Sequence, residues 1–255
     1  MTGLLLLLAL ASPSPTPAPA ARIVKLTADL PDRSVVLVTL QARGKVQKLK
    51  DFAKQKLYVG TNPINLPGSP DVSLTGDGFE ARFQLPYASV PEAVLSHDPH
   101  ALPLRWEALD ASGKPVLAAE GSVDLGDPGQ VSFSPRRAYE LFARLDRLQL
   151  APGLAQVGFS ALLSLYNPFS FELVVKRIEY EVKVGETTLL SANRPGMRLR
   201  PVRANDVLLE QEVPLASLGG AVQSLLNNPS VDFSGKLVLR TPTGDQVIPL
   251  QFGSH

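Results

Sequence analysis

The sequence predicts a mainly β protein: two tandem antiparallel β-sandwich domains, each carrying one short helix, joined by a short connecting helix. Three observations predict it. From residue 22 onward apolar side chains recur at every second position, as in Ile178, Tyr180, Val182 and Val184, with Arg177, Glu179, Glu181 and Lys183 between them. That alternation marks a strand with one buried and one wet face. Second, the same order of segments is met twice. "QLPYASVPEAVLS" (84–96) lies without a gap over "EVPLASLGGAVQS" (212–224), with identities at Pro86/Pro214, Ala88/Ala216, Ser89/Ser217, Ala93/Ala221, Val94/Val222 and Ser96/Ser224. Third, 255 residues leave room for one large domain or two modest ones, and 44% hydrophobic content is enough for a real core.

The chain opens on "LLLLLALA" (4–11), eight apolar residues, where a bilayer span needs roughly 20. It reads as the apolar part of a secretory signal, with Ala9-Leu10-Ala11 or Ala18-Pro19-Ala20 as cleavage candidates. No Lys or Arg precedes the leucines, and a greasy tail outside the fold is the alternative. No cysteine follows to take a lipid, so the expectation is an exported protein, periplasmic or extracellular in a bacterium, and not a lipoprotein. "SPSPTPAPAA" (12–21) is a Pro-rich extended spacer, which sets residues 1–21 apart from the fold. No later stretch has the length and apolarity of a transmembrane segment. With 25 basic and 24 acidic residues the net charge is +1, which gives no reason to expect nucleic acid as a partner. The lack of cysteine removes disulfides, thiolate chemistry and sulfur-ligated metals together.

Residues 22–133 form the first domain. Leu37, Leu40, Ala53, Leu57, Val59 and Gly60 fall on Leu162, Leu165, Ile178, Val182, Val184 and Gly185, and the "DASGK" turn (110–114) takes the place of "TPTGD" (241–245). Between the copies, "SPRRAYELFARLDRL" (134–148) offers Ser134 as N-cap and Pro135 at the first helical position. Tyr139, Phe142 and Leu145 are spaced for one helical face, giving a short connecting helix packed on the domains. An amphipathic membrane helix, suggested by Arg136, Arg137, Arg144 and Arg147, is the sharper alternative.

The second domain completes residues 134–255. Strands are expected where Val157, Phe159, Ala161, Leu163 and Leu165 alternate, and again over 206–213, 231–240 and 245–251. The last two are joined as a hairpin through Gly244. "ASLGGAVQSLLNN" (216–228) breaks the period, with Leu218, Val222 and Leu225-Leu226 at helical spacing and Asn-Asn-Pro to stop it.

In "LLSLYNPFSFELVV" (162–175) a strand is cut by Asn-Pro and then resumes. Proline cannot donate to a ladder and asparagine takes turn geometries readily. Asn167 and Pro168 therefore end pairing on one sheet so that the chain can cross to the other, with Phe169 and Phe171 plugging the corner. The functional rival is a recognition tripeptide, Asn167-Pro168-Phe169, read by an adaptor.

Few residues of the chain are patterned for chemistry. His97, Asp98 and His100 lie in "SHDPHAL", a loop with the composition of a solvated turn rather than a metal site, and His255 is alone. Asp124 and Asp127 sit in a Gly/Pro turn. Paired carboxylates for glycoside cleavage meet only in space, and sequence leaves them open. There is no nucleophile elbow, phosphate-cradling loop or zincin motif, and no cofactor is expected. One patch stands out: Lys48, Lys50, Lys54 and Lys56, on one face of a single strand with Phe52 and Tyr58 among them. Such a face suits anionic surfaces such as lipid headgroups or acidic glycans. Lysines guarding an edge strand against aggregation are the plainer reading.

The second copy resembles the water-stress-and-hypersensitive-response (WHy) domain of the folded, atypical late-embryogenesis-abundant (LEA) proteins. The residues that carry the likeness are "LYNPFSF" (165–171), "IEYEVKVGETTLLSA" (178–192), the Pro201 to Asp206 approach, "VPLASL" (213–218) and "FSGKLVLRTPTGDQVIPL" (233–250). The first copy departs from the pattern, with Ala42-Arg43-Gly44 where Asn-Pro-Phe would fall. The resemblance implies a small antiparallel sandwich with one helix. It also implies a non-enzymatic, desiccation- or stress-related protein that binds or protects other macromolecules or envelope surfaces. A cell-envelope adaptor for protein partners or anionic lipid or glycan surfaces is the alternative.

Overall fold

The computed structural model describes residues 21–46, 52–185, 187–218 and 231–252. The chain is mainly β, as its period-two patterning predicts. The first half contributes β1 (Ala21–Asp29), β2 (Val35–Arg43), β3 (Lys54–Val59), β4 (Asn62–Asn65), β5 (Asp71–Leu74), β6 (Gly78–Pro86), β7 (Leu102–Leu109), β8 (Pro115–Val123) and β9 (Val131–Ser132). Helix α1 (Pro135–Phe142) follows. The second half contributes β10 (Ala143–Pro152), β11 (Gln156–Asn167), β12 (Leu173–Val184), β13 (Thr187–Leu199), β14 (Arg203–Pro214), α2 (Leu215–Leu218), β15 (Val231–Thr241) and β16 (Gly244–Gln251).

The pairing scheme is the same in both halves. β1-β2-β6 corresponds to β10-β11-β14, and β4-β3-β7-β8 to β13-β12-β15-β16. The detail repeats as well. Trp106 stands opposite Leu57, and Phe233 opposite Val182. Gly60 and Gly185 turn the equivalent hairpins at φ +59° and +57°, a region that glycine enters at little cost. β1 and β10 each bulge once, leaving Val24 and Asp146 unpaired. Matching the two bulges and the Pro86/Pro214 pair sets Leu40 on Ala161 and Ala42 on Leu163. The expected match of Leu37 and Leu40 with Leu162 and Leu165 is thus shifted by four residues, and Asn167 corresponds to Val46 rather than Ala42. An even shift keeps every inward residue inward, which is why alternation alone does not reveal it.

Each half buries its own core. In the first, Trp106 and Phe79 meet from facing layers at 5.7 Å, surrounded by Leu40, Leu57, Ile64 and Leu104. In the second, Phe159, Tyr180 and Phe233 stack at centroid distances of 5.9–6.3 Å. Among the described residues the halves differ in β5, which adds to β6 and has no counterpart on β14, and at one seam. β1 runs parallel to β8 at Ala21↔Ala119 and Arg22↔Glu120, and parallel to β9 at Leu26↔Val131. These pairings join the first unit's two layers into one nine-stranded sheet, whereas the second unit keeps sheets of three and four strands. The remaining ladders are antiparallel.

The helical segments are shorter than their spacing predicts. α1 stops at Phe142, and Leu145 lies in β10. The Asp146 bulge lets Leu145 and Leu148, three apart, both pack on the second core, so a strand mimics helical spacing. In the first unit the helix is two 3₁₀ turns, Tyr87–Ser89 and Glu92–Ser96, interrupted by Pro91, which has no N–H to continue a helix. In the second unit α2 covers Leu215–Leu218; the rest of the expected helix, and the leader over 1–20, lie outside the described residues.

A third apolar cluster joins the halves: Leu30, Val36 and Tyr87 from the first with Leu141, Phe142 and Phe169 from the second. Arg137 donates to the carbonyls of Leu30 and Pro31 at 3.1 and 2.9 Å, and the Arg33 guanidinium lies 5.1 Å over the Tyr166 ring.

Candidate functional site

β11 ends at Asn167, and β12 begins six residues later in the opposite sheet. The Asn167 side chain is fully buried. Its amide donates to the carbonyls of Phe171 at 2.8 Å and Leu199 at 3.0 Å, and its oxygen accepts the Phe169 N–H at 3.0 Å. Both amide hydrogens are engaged within the corner and the oxygen takes one bond there, and full burial closes the side chain to an outside partner. Pro168 is partly buried. Phe169 stacks on Phe171 at 5.1 Å and also meets Tyr87 of the first unit, so it serves the joint as well as its own corner. On the facing turn, Asn205 accepts the Arg200 N–H at 2.8 Å and donates to the Arg203 carbonyl at 3.0 Å. Val202 in that turn has φ +49° and donates its N–H to the Phe169 carbonyl.

Of the four patch lysines, Lys48 and Lys50 lie outside the described residues, and the strand itself begins at Lys54. Lys54 and Lys56 share an outward face with Tyr58. β3 is not a terminal strand: β4 pairs on its outer side from Lys56 to Val59, so the edge-guarding reading does not apply to Lys56. Lys56 stands opposite Glu107, which is 5% exposed and takes Arg105 at 2.5 Å. The Tyr58 hydroxyl is raised above its ordinary pKa by burial and by bonding to Glu107. The patch is a mixed-charge ladder where it is described.

The loop candidates are committed locally. Asn62 Nδ2 lies 3.2 Å from His97 Nε2. His100 Nδ1 lies 3.0 Å from Asp124 Oδ1, which also accepts the Gly126 N–H at 2.7 Å; these bonds hold the Asp124 carboxyl below its usual range. Asp127 accepts from Gly129 and Gln130. Among the described residues no group of three His, Asp or Glu side chains is arranged to hold a metal ion, and no helix is long and apolar enough to cross a membrane.

Two features have no motif to announce them. One is the Tyr87–Phe142–Phe169 joint; a weak signal exists in the aromatic Tyr87 standing where the repeat has Leu215. The other is the treatment of strands that end the ladders. β4, β13 and β16 carry Pro63, Pro195 and Pro249. β5 has four residues, β10 is bulged at Asp146, and Arg194 donates from β13 to the Leu208 carbonyl of β14. Each device discourages an added strand.

No family model matches the chain, and no curated protein does. Among solved structures it is similar to a protein from Archaeoglobus fulgidus at 12% identity, covering 43% of this chain and 98% of that one, with a TM-score of 0.31. A protein assigned to the LEA class is 22% identical over 44% of this chain and 68% of its own, at 0.30. A DUF4785 family protein from Legionella pneumophila is 11% identical over 91% and 56%, at 0.35. Overlaps at this level assign no family.

Proposed function

We propose that this chain is a non-enzymatic, exported, LEA-like stress protein of the WHy type, whose two sandwiches bind or shield other macromolecules or envelope surfaces. Of the motif residues behind that resemblance, Asn167, Phe169, Phe171 and Asn205 hold turns of the fold, and the sheet faces are the surfaces offered to other molecules. The observation that carries the reading is the guarding of the six terminal strands by proline, shortness, a bulge or an arginine. A shield has to be crowded against unfolding clients without pairing its own backbone with theirs. The test is to dry and rehydrate a labile reporter enzyme with the full chain, alongside an equal mass of an unrelated β-sandwich protein. Greater recovery with this chain is expected. Equal recovery, together with unchanged desiccation survival after deletion of its gene, refutes the stress role.

The second reading is an envelope adaptor that uses Lys48, Lys50, Lys54 and Lys56 against anionic lipid or glycan. The shared outward face of Lys54 and Lys56 favours it. Charge reversal at all four positions should then abolish binding to vesicles rich in anionic lipid; unchanged binding ends this reading.

A further inference from the structure

One edge of the repeat is filled in the first unit and bare in the second. In the first, β5 adds antiparallel to β6 from Asp71↔Arg82 to Leu74↔Phe79. Register carries β6 onto β14, since Thr39 pairs with Arg82 as Ser160 pairs with Glu210. The stretch that β5 covers is therefore Val207 to Glu210 on β14, and among the described residues no strand is added there. The bond from the Leu215 N–H to the Ala155 carbonyl, at the end of the β11–β14 ladder, fixes which backbone groups turn toward β11. Those of Val207, Leu209, Gln211 and Val213 do, so those of Asp206, Leu208, Glu210 and Glu212 face away from the sheet. Arg194 reaches over from β13 to take the Leu208 carbonyl. The N–H groups of Leu208, Glu210 and Glu212 have no partner among the described residues. Gln211, on the inner face, is exposed, so β13 leaves this end of the edge open.

The same residues show their side chains together on the outer face, because Val207 and Leu209 are buried on the inner one. Asp206, Glu210 and Glu212 are exposed, and among the described residues none of these carboxylates has an ion pair or hydrogen bond. Ser164, Ser160 and Gly158 stand opposite them on β11 and bring no compensating cation. Unpaired backbone and uncompensated charge thus lie along one strand, at the two-residue spacing of a β ladder. Opposite charges facing each other across a ladder are favourable. Arg194 illustrates the chemistry, setting a cation's N–H where a strand's N–H would lie. It is also a different guard from a proline, being a side chain that can be displaced. An uncharged segment would expel it and leave the acidic row bare, whereas a cationic segment replaces both its charge and its bond. The guard is selective. We propose that the free edge of β14 binds an extended cationic segment of another protein, added antiparallel as β5 is to β6. Lys or Arg would face Glu212, Glu210 and Asp206, and an apolar residue would face Leu208, which is 41% exposed. Such binding neither needs nor implies a role in drying.

The test titrates the isotopically labelled full chain with a capped peptide, Lys-Thr-Lys-Thr-Val-Thr-Lys, and follows both amide shifts and amide exchange. Saturable shifts along β14 are expected below about 1 mM peptide. Exchange at the Leu208, Glu210 and Glu212 amides should slow by about tenfold or more at saturation, which charge attraction alone would not produce. A peptide of the same composition in blocks, Lys-Lys-Lys-Thr-Thr-Thr-Val, should bind about fivefold more weakly or worse, because it cannot match the two-residue spacing. Glu210→Gln with Glu212→Gln, both at exposed positions, should weaken the alternating peptide by a similar factor. The proposal is overturned by an absence of saturable shifts, by equal binding of the block peptide, or by shifts without slowed exchange at those three amides. Unchanged affinity in the double variant also overturns it. So does slowing in the free chain that grows with its concentration, which would assign the edge to a second copy.

Discussion

The ring of Tyr87 in the first unit meets the ring of Phe169 in the second edge-on, at a centroid distance of 6.0 Å. Phe142 at the end of α1 meets the same tyrosine at 5.3 Å, again edge-on. The Asn-Pro corner therefore does two jobs: Asn167 closes it from within, and Phe169 presents it to the neighbouring unit.

This contact has a pH signature. Burial, and then the charge of Asp32, push the Tyr87 hydroxyl up to about 12. A folded-state value above the unfolded one means stability that is fully present below about pH 10 and lost as pH rises through about 12. Tyr87→Phe keeps the rings and removes the ionisable group. Urea midpoints measured from pH 9 to 12 should fall less steeply in the variant, and identical slopes would exclude this role.

Asn167→Ala should cost about 3 kcal/mol, because it strands two buried carbonyls and one N–H. Asn167→Asp should be worse at neutral pH, since an ionised carboxylate would face the Phe171 and Leu199 carbonyls, and acid should restore part of the loss. Denaturant titration at two pH values decides it.

Val202 holds a left-handed φ of +49° while 55% exposed. A β-branched residue is poorly suited to that region. Val202→Gly should stabilise by about 0.5–1 kcal/mol, the relieved strain exceeding glycine's added entropy in the unfolded chain. A lowered melting temperature would count against strain at this turn.

Pro249 stands opposite Lys236 on terminal strand β16, beside Val247 and Ile248, which are 56% and 38% exposed. Pro249→Val restores an N–H and adds a β-forming side chain next to that apolar pair. Light scattering should show concentration-dependent association in the variant and not in the parent. A variant that stays monomeric at millimolar concentration removes proline's protective role.

Much of this architecture is legible from residue order, because alternation and a duplicated segment are local signals. The strand around Ile178 to Val184 and the final hairpin through Gly244 are read directly. What escapes depends on distant pairing. Leu145 reads as helical because a bulge at Asp146 places it and Leu148 on one face. The four-residue shift between β2 and β11 is silent because it preserves parity. Lys56 reads as an edge residue because nothing in its own sequence announces β4. Asn167 is recognisable as a corner, but its engagement with Leu199, thirty-two residues away, is a product of the fold.

The parallel seam has a consequence for how the protein comes into being. Arg22 waits for Glu120, about a hundred residues downstream, before its strand is covered on both sides. A chain emerging from its amino end must carry β1 half-paired through nearly the whole synthesis of the first unit. The later unit makes no such demand on its opening strand, so the first half is expected to be the slower to mature and the more dependent on assistance while nascent.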